Sequence, residues 1–218
     1  VLPTFTIHPQ PDVAALTAEA IDRGGSVVKV HTQVGRFHAT DPRLDDAWQQ
    51  IADARLPVML HATAVYGVDG GDEWCGVDEV RALLDRHPDL TVIVAHIGMP
   101  EYAEAVRLAE EADDVHLDVS MTLHDGELAL DVPEPVVERM HDLAPKVLFG
   151  SDFPSIPHPY ATQVRAMARL GLDDEGLRGV LADNARRLLA RRAGGQDVLS
   201  AVDRRAVADR TWSGGTGG

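Results

Sequence analysis

Val92-Ile-Val-Ala-His96 is an apolar run without polar alternation, closed by an imidazole. Two more stretches share its design: Pro57-Val-Met-Leu-His61, and Val147-Leu-Phe-Gly-Ser-Asp152, which closes on a carboxylate. Continuous apolar runs suit parallel strands covered on both faces. A ligand-type side chain where such a strand ends lies at the rim where α/β sheets and barrels bind their ligands. Three such ends, separated by helix-length segments, predict one site built from residues far apart in the chain.

Working outward, six strand-type runs can be read: Thr4–His8, Val27–His31, Pro57–Ala62, Thr91–His96, Val115–Ser120 and Lys146–Asp152. Helical patterns lie between them. Leu44, Trp48 and Ile51 recur at helical spacing after Asp41-Pro42, a cap followed by a first-turn proline. Val13, Leu16 and Ala20 form a similar face, stopped by Gly24-Gly25. Further stripes are Val77, Val80 and Leu84, then Val136, Met140 and Leu143, then Leu177, Val180, Leu181, Leu188 and Leu189. Strand then helix, repeated, is the pattern of βα units and a parallel sheet. The expectation is an α/β chain of the (β/α)₈ TIM-barrel type with six of the eight units present, since a barrel needs eight strands. An open six-stranded sheet is the alternative. Because the chain starts at Val1, a front segment is expected to be absent. The barrel is expected over residues 1–190, and residues 191–218, ending in Gly/Ser/Thr, as an extension with a mobile end.

The 218 residues are 44% hydrophobic and carry a formal net charge of −15. Such acidity argues against nucleic acid or an anionic membrane as partner, and no apolar run approaches the roughly 20 residues that span a bilayer. The single cysteine, Cys75, excludes an internal disulfide framework and fits a reducing, cytoplasmic compartment. No glycine-rich phosphate loop, Gly-x-Ser-x-Gly elbow or Cys-x-x-Cys pair occurs, which removes nucleotide binding, serine-hydrolase and thiol redox chemistry. A small-molecule substrate is the expected partner, with self-association through exposed barrel edges as a further possibility.

Lys29 and His31 lie two apart and share a strand face. If that face is the barrel interior, both reach the site. A lysine in an apolar strand is costly unless paired or chemically altered; it can contact a substrate carboxylate or hold an ion pair. The glycine-containing stretch Ala62 to Gly76 follows the His61 strand as a lid or substrate wall, with Tyr66 and Trp74 as pocket-lining residues against a plain packing role. Cys75 reads as a bystander. His38, His116, His124, His141 and His158 read as ordinary surface residues, and Asn184 as a helix cap.

At this point a resemblance enters. Val27-Val-Lys-Val-His31, Pro57-Val-Met-Leu-His61, Val94-Ala-His-Ile-Gly98, Leu148-Phe-Gly-Ser-Asp-Phe-Pro154 and Asn184-Ala-Arg-Arg-Leu-Leu189 occur in the order seen in the amidohydrolase-related metal-dependent hydrolases. The chain resembles, over residues 4–190, this TIM-barrel branch of the amidohydrolase superfamily, which includes aminocarboxymuconate-semialdehyde decarboxylase-like enzymes. The resemblance implies that the six strands are the third to eighth of the barrel. It implies that His61 is a metal ligand, that Asp152 binds the metal and shuttles a proton, and that His96 is a ligand or hydrogen-bonds the reacting water. The His-x-His pair of the family's first strand has no counterpart here. The implied cofactor is a divalent metal, zinc first, with manganese or iron as alternatives. Three functions stay open: a hydrolase of C–N or C–O bonds using a metal-activated water, a non-oxidative decarboxylase or hydratase of an unsaturated carboxylate, and a barrel fragment that binds no metal.

Overall fold

The computed structural model describes residues 2–63, 71–124, 131–154, 156 and 158–191. Tyr66 and nearly all of the expected C-terminal extension lie outside the described residues. Six strands form one sheet in the order β1-β2-β3-β4-β5-β6: Thr4–Phe5, Val27–His31, Val58–His61, Val92–Val94, Val115–Asp118 and Val147–Leu148. Every neighbouring pair is parallel. Sheet order therefore equals chain order, as repeated βα units require. This is a partial barrel.

The helices cover one face of the sheet. Val28, Val30, Val58, Leu60, Val92 and Val94 are fully buried against them. The helix Asp45–Asp53 packs through Trp48 and Ile51, both fully buried together with Leu44 ahead of it; each such side chain contributes about 1.5–3 kcal/mol by leaving water. Trp48 also donates its Nε1–H to the carbonyl of Ala39 at 2.8 Å, so its polar atom is not stranded in the core. Asp41 caps the turn Pro42–Leu44 by accepting from the Arg43 amide.

Two helical stripes differ from expectation. In Val13–Asp22 the buried positions are Val13 and Thr17, while Leu16 is 44% exposed. Thr17 resolves its hydroxyl by donating to the Val13 carbonyl at 2.8 Å, which lets the helix roll by about a residue. The last stripe is not one helix: Asp174–Arg178 and Asn184–Leu189 are joined by a wider π turn, Gly179–Asp183, and Leu181 faces solvent. Asn184 is structural, though not as a cap. Its side-chain amide donates to the carbonyls of Ala144 and Val147, both at 2.7 Å, anchoring the last helix where β6 begins.

The opposite, inner face carries Lys29, His31, Met59 and His61, with Lys29 paired in register to Met59 and His31 to His61. Below the histidines a second apolar cluster joins Met59, Ile93 and Leu148 to Leu188 and Ala185 of the last helix. Among the described residues no helix is long and apolar enough to cross a membrane.

Candidate active site

β2 and β3 deliver His31 and His61 side by side at their carboxyl ends. Their rings stack with centroids 3.7 Å apart and planes 15° apart. The ring of His96 meets His61 edge-on at 4.9 Å and 73°. Three of the expected site residues are thus brought together. Hydroxyls tie this rim past the end of the sheet: Thr32 donates to the His61 carbonyl at 3.4 Å, and Thr63 to that of Ala95 at 3.3 Å.

His96 is not the last residue of a strand. β4 ends at Val94, and His96 and Ile97 then adopt left-handed backbone, with φ 54° and 53°. A positive φ at a β-branched isoleucine is strained and persists only where surroundings enforce it. The Asp118 carboxylate does so in part, accepting the His96 amide at 3.4 Å. Below it, Ser120 donates its hydroxyl to Asp118, and His96 Nδ1 lies 3.0 Å from both the Ser120 carbonyl and its Oγ. Asp118 and Ser120 were missed among the candidates. Their signal was present in Val115-His-Leu-Asp-Val-Ser120, where polar residues alternate at 116, 118 and 120 as Lys29 and His31 do.

The electrostatics follow from burial. His61 is pushed down to about 2, first by burial, then by His31, His96 and Lys29. His31 falls to about 4, again by burial first and then by Lys29 and His96. Both rings are neutral at physiological pH. The Val34 amide points at His31 Nδ1 from 3.4 Å, so that nitrogen is the bare one. Burial likewise pushes the Lys29 amine down, while Asp118 and Asp152 draw it back up. His61 Nε2 is buried with no hydrogen-bond partner, which is uncommon for a buried polar atom.

Asp152 lies four residues beyond β6, exposed, with a left-handed φ of 55°. Its carboxylate acts on Lys29, yet it does not complete a ligand set. Among the described residues no group of three or more His, Cys, Asp or Glu side chains could hold a metal ion. The expected trio His61, Asp152 and His96 is therefore not gathered into a ligand group among the described residues; Asp152 is exposed, and His96 Nδ1 is engaged by Ser120 while its Nε2 is not. Trp74 is half-buried in the turn Gly71–Trp74, which packs against Thr32–Gly35, the turn that follows His31. His8 is exposed, 3.3 Å from the Gly35 carbonyl and edge-on to the Phe37 ring at 5.0 Å, away from the three stacked and edge-on imidazoles. Two histidines expected at the surface are buried: His116, on the inner face of β5, and His124, beyond its end.

A family model described as amidohydrolase matches residues 2–191. The chain belongs to the amidohydrolase family. Its fold is that of solved amidohydrolase-like barrels. An uncharacterised TIM-barrel protein from Bordetella bronchiseptica is 23% identical with a TM-score of 0.70, over 87% of this chain and 66% of that one. A 2,6-dihydroxybenzoate decarboxylase from Rhizobium is 16% identical with a TM-score of 0.56, over 83% and 68%. A 4-oxalomesaconate hydratase from Rhodopseudomonas palustris is 14% identical with a TM-score of 0.58, over 92% and 65%. The amidohydrolase chain thus spans about two thirds of the length of these structures. No curated protein matches it.

Proposed function

We propose that this site serves a metal-dependent hydrolase that cleaves a C–N or C–O bond of a small molecule, in a cytoplasmic setting. The observation that carries the reading is His61 Nε2, buried, unpartnered and held neutral between two other imidazoles. His61 and Asp152 would hold a divalent cation, zinc first, with His96 as a further donor. These are at most three donors, the usual minimum for a catalytic zinc, so all three or further donors would complete the set. A bound cation there would supply Lewis acidity and bring the pKa of a water down toward about 7.

The remaining work falls to the chain itself. Asp152, at the open rim, accepts the proton of the attacking water on a carboxylate oxygen and returns it to the leaving group. His96 orients that water or the developing oxyanion. Lys29 and His31 hold polar groups of the substrate, and Tyr66 and Trp74 wall it from solvent.

A second reading is decarboxylation or hydration of an unsaturated carboxylate. One observation favours it: Lys29 faces inward, its amine pushed down by burial but drawn back up by Asp118 and Asp152, where it can pair with a substrate carboxylate. A third, non-catalytic reading draws on the absence of a three-donor group among the described residues. Metal content after incubation with zinc, manganese or iron tests all three. Stoichiometric metal that is lost in both His61→Ala and Asp152→Asn is expected. Ester, lactone and amide hydrolysis, set against metal-dependent CO₂ release, then separates the first two. No retained metal would leave the non-catalytic reading.

A further inference from the structure

Asp118, Ser120 and His96 form a buried polar chain, only 2%, 4% and 7% exposed, and the hydrogen-bond roles within it are forced. A carboxylate only accepts, so the contact between Ser120 Oγ and Asp118 Oδ2 takes up the hydroxyl hydrogen. The Ser120 carbonyl also only accepts. Both groups 3.0 Å from His96 Nδ1 therefore offer it lone pairs. Two lone pairs facing a bare nitrogen would repel; a proton on Nδ1 satisfies both.

We infer that Asp118 is a positioning residue that acts through Ser120 to fix neutral His96 as its Nδ1–H tautomer, leaving Nε2 bare. The same carboxylate accepts the His96 amide and steadies its left-handed backbone, so one buried group sets both where the ring stands and which nitrogen is basic. Carboxylate-oriented imidazoles are held in this manner wherever a defined tautomer is required. Gly150 makes the arrangement possible: a Cβ there would fall 1.8 Å from Asp118 Oδ1. The chemical consequence rests on the hydrolase reading and deepens it. A bare Nε2 accepts a hydrogen bond from water or ligates a cation; it cannot donate to an oxyanion. Of the two roles open to His96, orienting the water or orienting the oxyanion, the structure assigns the first.

The test is nitrogen-15 NMR of histidine-labelled protein, well above the ordinary imidazole pKa of about 6.5, with His96 assigned by its loss in His96→Gln. Free imidazole side chains favour Nε2–H, so the expected wild-type pattern, pyrrole-type Nδ1 and pyridine-type Nε2, is diagnostic. Asp118→Asn frees the Ser120 hydroxyl to turn toward Nδ1 and is expected to shift His96 toward Nε2–H by up to about tenfold in tautomer ratio, the worth of one ordinary hydrogen bond. Ser120→Ala shifts it the same way, and Ser120→Thr, which keeps the hydroxyl, restores the parent pattern. His61 signals that stay in place show that the fold is intact. An Nε2–H ring in the wild type overturns the inference, as does an unchanged ratio in folded Asp118→Asn. Should Asp118→Asn not fold, identical spectra for the alanine and threonine variants overturn it. None of these readouts requires turnover, so an inactive protein with the expected tautomer would remove the hydrolase reading alone.

Discussion

His31 and His61 are register partners on adjacent parallel strands, and their rings lie flat against one another at 3.7 Å. Two imidazoles so placed cannot both carry charge at modest cost, because each proton repels the other in a poorly solvated gap. His31→Ala removes the neighbour and admits water, so His61 is expected to titrate at a higher pH than in the parent. An NMR titration of the His61 ring checks this. A midpoint equal to or below that of the parent would show that the stack does not hold His61 neutral.

Acid should loosen the fold in a defined window. His31 and His116 are pushed down to about 4 and His61 to about 2, against about 6.5 for an ordinary imidazole. For His116 the causes are burial, then Arg191 and Lys146. The unfolded chain binds protons below about 6.5 that the folded rings refuse, so stability is complete above that value and declines as pH falls toward about 4. Urea midpoints across this range are expected to drop steadily. A flat profile would refute the assignment.

Gly150→Ala places a methyl group 1.8 Å from Asp118 Oδ1 and 3.1 Å from the Ser120 Cβ. Either the backbone just after β6 or the buried carboxylate must move. The expected cost is about 1–3 kcal/mol in denaturant unfolding, as for other overpacked sites. A neutral substitution would mean that the approach of β6 to Asp118 is looser than described.

Lys29→Met keeps the length of the side chain and deletes its charge. If Lys29 pairs with a substrate carboxylate, affinity for small carboxylate ligands should fall by about ten- to a hundredfold, the worth of one charge-assisted hydrogen bond, with the circular dichroism unchanged. Titration calorimetry with simple aromatic and dicarboxylic acids measures it. Equal affinities would return Lys29 to a purely internal role between Asp118 and Asp152.

Much of this was legible because parallel strands write themselves as unbroken apolar runs. All six runs became strands, and Lys29, His31 and His61 occupy the shared inner face that a period of two demands. What escaped the reading depends on backbone beyond the strands. The left-handed backbone at His96 and at the exposed Asp152 arises from local dihedrals, which no apolar pattern encodes. Asp118 and Ser120 did show alternation, but without a terminal position they looked like strand polarity. Leu16 misled because a threonine can cover its own hydroxyl within a helix and take the buried place. His116 and His124 misled for a related reason: an imidazole's polarity suggests solvent, while its neutral form is readily buried.

The last helix, pinned by Asn184 at the entrance of β6, presses Leu188 against Met59, Ile93 and Leu148 beneath the histidines. It works as a cork. The three rings of His31, His61 and His96 therefore stand above a hydrocarbon floor, which keeps water off their lower side.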